Sequence, residues 1–264
     1  MEQIICVISQ KGGVGKTVTS VNLAAALAMN RKKTLLVDCD PQGSASASAG
    51  IHRNISGPTL KQGAKGICTL EEITVLSCHE FLKVIPMPRG IFHEDDEFDL
   101  MQGQKTCLRT FLSGAEDLFD YIIIDTAAPA GFLTLNAIIA ANAVIIPLQC
   151  ELLAFQTLRL TIKILEQVKL TDNPGLKLAG ILLTMYDQGE DVSERIIKSV
   201  RKHLKKYMFK TVIPRSTQIR ELSIWCKPIV IRKIGTVAAQ NYFDLAWEVM
   251  QMCNSVKSNL KKRN

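Results

Sequence analysis

Short runs of apolar residues alternate along the chain with longer segments in which apolar residues recur every three to four positions. Runs that are apolar throughout predict parallel strands covered on both faces, and the 3.6-residue period predicts helices. The predicted strands are residues 4–8, 34–38, 81–85, 121–125, 143–148, 178–184 and 210–214. The predicted helices are residues 19–29, 70–73, 107–118, 155–170, 194–207 and 237–260. This alternation predicts an α/β fold with one doubly wound, mostly parallel sheet.

Two stretches lack a regular apolar pattern. Residues 44–66 are small, polar and rich in glycine, and we expect a loop with a short helix there. Residues 86–100 include a run of acidic side chains, which is typical of a solvated surface loop. Because the chain shows no repeat, low-complexity tract or linker that would divide it, we expect residues 1–264 to form a single domain.

A glycine-rich loop lies between the first predicted strand and the first predicted helix. Its sequence is Gln10-Lys11-Gly12-Gly13-Val14-Gly15-Lys16-Thr17. Glycines let the backbone approach a ligand closely, and the N–H groups of such a loop and of the following helix bind phosphate. We expect Lys16 to reach the β- and γ-phosphates and the Thr17 hydroxyl to bind Mg²⁺. Gln10 replaces the first glycine of the standard pattern, and Lys11 is an additional cation.

Carboxylates follow two of the predicted strands. Asp38 and Asp40 belong to the segment Asp38-Cys39-Asp40-Pro41-Gln42-Gly43, directly after the second strand. Asp125 ends the apolar strand at residues 121–125, which is the Walker B pattern. Ligands of open α/β sheets bind at the carboxyl ends of the strands, so these side chains predict a Mg²⁺–nucleotide site there.

The composition excludes several classes of protein. The chain is 47% hydrophobic and 22% charged, as expected of a globular protein with a substantial core. No apolar run reaches the ~18 residues of a membrane-spanning helix. No basic region precedes the first apolar run, so we expect no signal peptide and a cytoplasmic protein. The eight cysteines are scattered without metal-ligand spacing, which argues against a disulfide framework or a zinc site.

Positive charge is concentrated in the second half of the chain. Residues 1–132 carry a net charge of −3, whereas residues 133–264 carry +10. Residues 195–233 contain 12 basic side chains and one acidic side chain. Within them, the predicted helix 194–207 has an apolar stripe beside a basic face. The stripe consists of Ile196, Val200, Leu204 and Tyr207. This asymmetry predicts a surface that meets a polyanion, with a solvated helix face as the alternative.

Three motifs together resemble those of the ParA/MinD family of ATPases. Residues 11–17 look like the deviant Walker A loop of that family, residues 38–43 like its switch I motif, and residues 123–126 like its Walker B motif. The resemblance covers nearly the whole chain and implies a P-loop NTPase fold. It is greatest to the short, Soj-like ParA proteins, and we expect no N-terminal DNA-binding extension here.

The resemblance implies ATP and Mg²⁺ as cofactors and a homodimer in which two nucleotides face each other. It assigns Lys11 to the partner's nucleotide, Lys16 to the chain's own nucleotide, and Asp40 to the attacking water. The metal site that it implies consists of Thr17, Asp38 and Asp125. The nucleotide-binding residues that it implies are Gly12, Gly13, Val14, Gly15, Lys16, Thr17, Val18 and Pro214. Residues 126–129 and 221–225 depart from the family pattern, which leaves the partner-responsive segment and the adenine contacts beyond Pro214 open.

The leading functional hypothesis is therefore a DNA-partition ATPase associated with the nucleoid. Its ATP-bound dimer would bind DNA without sequence preference, and a ParB-like partner would stimulate hydrolysis. The candidate DNA-binding residues are Arg195, Lys198, Arg201, Lys202, Lys205, Arg215, Arg220, Arg232 and Lys233.

Two alternatives come from the same superfamily. A MinD-like ATPase would need an amphipathic C-terminal helix that inserts into a membrane surface, whereas the apolar stripe of helix 237–260 is more simply part of the core. A reductase-like electron carrier would need cysteines that hold an iron–sulfur cluster, and the sequence around Cys107 and Cys150 does not resemble that of cluster ligands.

Overall fold

A computed structural model of the chain describes residues 3–51, 57–87, 104–151, 154–187, 191–220 and 226–261. An eight-stranded sheet forms the centre of this described part. Its strands are β1 (Gln3–Val7), β2 (Thr34–Cys39), β3 (Val75–Leu76), β4 (Leu82–Ile85), β5 (Tyr121–Thr126), β6 (Ala143–Gln149), β7 (Lys177–Tyr186) and β8 (Met208–Pro214). The strand order is β3-β4-β2-β5-β1-β6-β7-β8, and only the β3–β4 pair is antiparallel. The predicted doubly wound, mostly parallel sheet is confirmed.

Helices cover both faces of the sheet. They are α1 (Lys16–Met29), α2 (Ser44–Ser48), α3 (Leu60–Ala64), α4 (Leu70–Ile73), α5 (Cys107–Leu112), α6 (Phe132–Ala140), α7 (Ala154–Thr171), α8 (Asp191–Leu204), α9 (Thr217–Arg220), α10 (Ile229–Arg232) and α11 (Val237–Lys261). Short 3₁₀ turns lie at Ala115–Asp117 and Lys205–Tyr207. Buried residues of α5, α6, α7 and α8 pack on one face, and those of α1, α10 and α11 pack on the other.

The strands are apolar throughout because both of their faces are buried. In β1, Ile4 and Cys6 face the α6–α7 side, whereas Ile5 and Val7 face the α1–α11 side. All six residues of β2 and of β5 are buried. Since a strand side chain alternates between faces, a strand with helices on both sides needs apolar residues at successive positions.

The helix that extends along the edge strand is α11. Its apolar stripe lies in the core, where Tyr242, Leu245 and Ala246 are almost fully buried. The Glu248 carboxylate of α11 accepts hydrogen bonds from the backbone N–H groups of Lys210 and Thr211, both at 2.8 Å. These bonds satisfy backbone groups of β8 where its pairing with β7 is irregular. No helix in the part of the chain that the structure describes is long and apolar enough to span a bilayer.

Some predicted elements differ from the structure. The predicted helix 107–118 is wrong beyond Leu112, because Gly114 adopts a φ of 95° and a 3₁₀ turn follows. Tyr207 does not extend the apolar stripe of α8, since it lies in the next 3₁₀ turn and its side chain is exposed. Helix α6 and strand β3 were not predicted from the sequence. Within the acidic stretch, residues 88–100 lie outside the described part of the chain.

Candidate functional site

The candidate site lies at the carboxyl edge of three adjacent strands. β5 is paired with β1 on one side and with β2 on the other. In this register Asp125 is level with both Val7 and Asp38. Asp125 therefore lies between the glycine-rich loop, which follows β1, and the acidic segment, which follows β2. The fold thus brings together the three motifs that the sequence analysis selected.

The backbone of the glycine-rich loop adopts a conformation that favours glycine. Gly13 and Gly15 have φ angles of 76° and 91°. A β-carbon placed on Gly12 or Gly13 would meet no atom of the described residues within 4 Å, so the loop faces open space. Gly15 precedes α1, whose first turn carries no acidic residue and no side-chain cap among the described residues. The N–H groups at this helix start are therefore available to an anion.

Lys16 is a buried cation beside this loop. The residue is only 7% exposed, and its Nζ donates to the Lys11 carbonyl at 3.3 Å. Burial lowers the pKa of Lys16, and the charges of Asp125 and Asp40 oppose that shift. A poorly solvated ammonium group interacts more strongly with an anion than one in water does.

Asp125 is the central carboxylate of the site. It accepts hydrogen bonds from the hydroxyls of Thr17 and Ser20, both at 2.8 Å. Burial raises the pKa of Asp125 to about 7, the nearby charge of Asp38 adds to the rise, and the two hydroxyl bonds oppose it. Thr17 and Asp125, which we expect to bind Mg²⁺, are hydrogen-bonded to each other, whereas Ser20 was not among the expected site residues. Ser20 lies one helical turn after Thr17, so the spacing alone could have indicated it.

Asp38 organises the acidic segment. Its Oδ2 accepts from the Ser46 N–H at 2.7 Å and from the Ser46 hydroxyl at 2.6 Å. Its Oδ1 accepts from the Asp40 N–H at 3.1 Å. Burial raises the pKa of Asp38 to about 6 against these hydrogen bonds, which lower it. Asp38 therefore fixes the start of α2 and the backbone of Asp40, whose own carboxylate accepts from Gln42 N–H at 2.9 Å.

The two unusual residues of the glycine-rich loop contact the segment after β6. The Lys11 ammonium forms an ion pair with the Glu151 carboxylate, in which the side chains are 38% and 27% exposed. The Gln10 N–H donates to the Thr161 hydroxyl of α7 at 3.3 Å. Neither Glu151 nor Thr161 was predicted from the sequence, and they lie 140 and 151 positions from their partners.

An apolar cavity of about 130 Å³ opens beside the loop. Its lining residues are Gly15, Val18, Thr184, Met185, Ile213, Pro214, Arg215, Ser216, Ile219 and Tyr242. The predicted nucleotide-binding residues Val18 and Pro214 thus share one cavity with the last glycine of the loop. Thr184 connects the cavity to the loop, because its hydroxyl donates to the Val14 carbonyl at 2.9 Å.

The eight basic candidates whose side chains the structure describes do not form one continuous face. Those on α8 and the following 3₁₀ turn are exposed, and this group consists of Arg195, Lys198, Arg201, Lys202 and Lys205. Arg215 lies at the end of β8 and faces Asp187 at 3.8 Å. Arg232 and Lys233 lie at α10, on the opposite face of the sheet from α8. The side chain of Arg220 lies outside the described part of the structure.

The candidate cluster ligands Cys107 and Cys150 have separate surroundings. The Cys107 thiol donates to Asn136 Oδ1 at 3.1 Å, and Cys150 is 8% exposed beside β6. Among the described residues, no group of three or more His, Cys, Asp or Glu side chains is arranged to hold a metal ion. The Thr17 hydroxyl and the Asp125 carboxylate, which are in contact, are oxygen ligands of the kind that Mg²⁺ prefers.

Comparisons with known proteins found similar sequences over most of the chain. Residues 2–178 match the family model described as an AAA domain. The chromosome partitioning protein ParA of Myxococcus xanthus is 38% identical over 250 residues, covering 94% of this chain and 88% of that protein. The sporulation initiation inhibitor protein Soj of Bacillus subtilis is 37% identical over 253 residues, covering 94% and 98%.

A solved structure shows the same architecture. It is that of cobyrinic acid a,c-diamide synthase from Mycobacterium smegmatis with a bound ATP analog and magnesium. The two chains are 28% identical and superpose with a TM-score of 0.82 over 97% of each.

Proposed function

The chain belongs to the family of ParA chromosome-partitioning proteins, and from that premise we propose that it is an ATP-hydrolysing switch that binds DNA as a dimer. The observation that carries the proposal is the different placement of two lysines in one glycine-rich loop. Lys16 is buried beside the loop, whereas the Lys11 side chain is 38% exposed and paired with Glu151. One cation is suited to the chain's own nucleotide and the other to a nucleotide held by a second copy.

The residues of the site fit an ATP–Mg²⁺ complex. The open loop, the free start of α1 and the buried Lys16 suit the phosphates of a nucleotide. Thr17 and Asp125 would hold the metal ion, with Asp38 close by. The apolar cavity that contains Val18 and Pro214 would take the adenine. Bound Mg²⁺ would neutralise negative charge on the phosphate oxygens while the γ-phosphoryl group is transferred to water.

The protein's own groups would then divide the work of hydrolysis. Lys16 would hold the phosphates of its own nucleotide, and Asp40 would orient the attacking water by accepting a hydrogen bond from it. Lys11 would contribute positive charge at the second nucleotide of the dimer, in the manner of an arginine finger. We expect slow hydrolysis without a partner, and a ParB-like protein would accelerate it.

DNA binding is proposed for the exposed basic face of α8. Its cations follow one another at helical spacing, and the buried Ile196 and Val200 face the core on the other side. Such a row neutralises phosphates without reading bases, so the binding would not depend on sequence. The proposed place of action is the nucleoid. The proposed single domain is supported by one sheet that runs from β3 to β8 and by the packing of α11 on α1.

A titration of random-sequence duplex DNA tests the proposal. The protein is compared with a slowly hydrolysed ATP analogue, with ADP and without nucleotide, each at several salt concentrations. We expect tight binding with the ATP analogue alone and an affinity that falls linearly on a log–log plot against salt. Lys16→Ala should remove the nucleotide dependence, whereas Lys83→Ala, which alters an exposed lysine of β4, should not. Equal binding in all three nucleotide states would contradict the proposal.

A further inference from the structure

The Lys11 side chain is engaged within its own protomer, by Glu151. We propose that Glu151 is a positioning residue, which holds Lys11 in place in the single protomer and releases it when a second copy of the chain binds. The inference rests on the proposed function, because it concerns how the in-trans role of Lys11 is controlled. The Lys11–Glu151 ion pair would then raise the dissociation constant of the dimer, because it must open in each protomer before the dimer forms.

The backbone around Lys11 is fixed from two sides. The Lys11 N–H donates to the Ser9 hydroxyl at 3.4 Å, and its carbonyl accepts from the Lys16 ammonium at 3.3 Å. Lys11 therefore contacts both the cation of the chain's own site and, through its side chain, Glu151. A change in the position of Lys16 would directly affect the backbone from which the Lys11 side chain extends.

The backbone of Glu151 is anchored independently. The preceding residue, Cys150, donates its N–H to the Thr184 carbonyl of β7 at 3.1 Å. The Glu151 carbonyl accepts from Ala154 N–H, also at 3.1 Å, at the beginning of α7. The Glu151 carboxylate thus extends from a hydrogen-bonded backbone at the end of the sheet. Gln10 is also bonded to α7, so the β6–α7 segment holds both residues in which the loop departs from the standard pattern.

The Lys11–Glu151 ion pair is weak enough to open and close, because both side chains are partly exposed. Because the two side chains are 38% and 27% exposed, water and salt weaken their attraction. A pair of this kind shifts an equilibrium by up to roughly fivefold. Each dimer requires two such pairs to open, and the factors multiply when the two sites are independent. Removing Glu151 should therefore tighten the dimer by up to about 25-fold, the square of the single-pair factor.

The test measures the dimer dissociation constant by sedimentation in Mg²⁺ and a slowly hydrolysed ATP analogue. Glu151→Gln keeps the shape of the side chain and removes its charge, and we expect tighter dimers by severalfold to about 25-fold. Glu151→Asp retains the charge on a shorter side chain, so its dimer dissociation constant should lie between those of Glu151→Gln and the wild type. Glu166→Gln is the matched control, because it makes the same change at an exposed position of α7 that does not contact Lys11. High salt should reduce the difference between Glu151→Gln and the wild type.

The outcomes separate this inference from the proposed function. A Glu151→Gln dimer that is no tighter than that of Glu166→Gln overturns the role of Glu151 and leaves the proposed function intact. A weaker Glu151→Gln dimer also overturns it, since Glu151 would then support the interface. If the wild-type chain does not dimerise, or if Lys11→Ala dimerises normally, the in-trans role of Lys11 fails and the inference fails with it.

Discussion

Asp38 and Asp125 are fully buried at the ends of adjacent strands, where the charge of Asp38 disfavours ionisation of Asp125. Burial is the main cause of their raised pKa values, about 6 and about 7. A carboxyl group whose pKa is higher in the folded state than in the unfolded state binds protons preferentially in the folded state. Its ionisation therefore costs stability, and the cost grows as the pH rises from the unfolded pKa near 4 to the folded pKa.

Asp125→Asn should accordingly stabilise the nucleotide-free protein at high pH. The amide keeps the shape of the carboxyl group and carries no charge, and the hydroxyls of Thr17 and Ser20 can still bond to it. We expect its advantage in the free energy of unfolding to grow by about 2–3 kcal/mol between pH 5 and pH 8. Urea unfolding of the variant and the wild type at both pH values measures this. Asp117→Asn, at an exposed position, should show no such growth, and a pH-independent difference for Asp125→Asn would refute the raised pKa.

Motifs indicated candidate site residues that belong to a local sequence pattern, but not the long-range partners of these residues. Lys16 and Thr17 follow from the glycine-rich loop, and Asp125 follows from the strand that it ends. Ser46 and Glu151 were missed because their roles depend on the path of a loop and on the packing of α7. No local pattern marks a hydrogen bond between Asp38 and a residue eight positions later, or an ion pair that spans 140 positions.

At the scale of elements, the parallel strands were predictable and some helices were not. Continuous apolar runs between turn signals indicated seven of the eight strands in the described part of the chain. The helix α6 has nearly the same composition as a strand, because it is buried on most sides and lacks a polar stripe. Strand β3 has only two residues, too few to produce a pattern.

Packing between β7 and β8 depends on a glycine that no pattern identified. A β-carbon on Gly180 would lie 2.7 Å from a ring carbon of Phe209, which is 4% exposed. Gly180→Ala should therefore destabilise the protein by ~1–3 kcal/mol, since the buried ring has little room to move. Denaturant unfolding measures the loss. Gly175→Ala is the matched control, because its new methyl group would meet its nearest neighbour, Asn173 Oδ1, at an ordinary 3.7 Å. Equal stability of the two variants would show that β8 can shift away.

At the scale of the whole molecule, the candidate nucleotide site and the basic face of α8 lie at different places around the sheet. The nucleotide site lies at the ends of β1, β2 and β5, whereas α8 connects β7 and β8 near one flank of the sheet. Sequence order alone could not show that α8 and α10 lie on opposite faces, since this depends on the crossovers between strands. Among the basic candidates that the structure describes, those on α8 and the turn after it therefore form the longest exposed row.

A double variant of α8 tests whether this face binds DNA. Lys198→Ala/Lys202→Ala removes two exposed cations per protomer and four per dimer. Each lost phosphate contact lowers the slope of log affinity against log salt by about 0.9, so we expect the slope to fall by up to roughly 3–4 in the ATP-bound state. The loss should be the same for unrelated duplex sequences, because phosphate contacts carry no base information.

The matched control removes the same number of cations elsewhere. Lys33→Ala/Lys83→Ala changes two exposed lysines at β2 and β4, on the other half of the sheet from α8. This control lowers the net charge of the protein equally, so it reports the part of DNA affinity that depends on overall charge. Both variants should retain ATP-dependent dimers, since neither change touches the glycine-rich loop. If the two variants bind DNA alike, α8 is a solvated surface, and the cations that meet the DNA phosphates must lie elsewhere on the dimer.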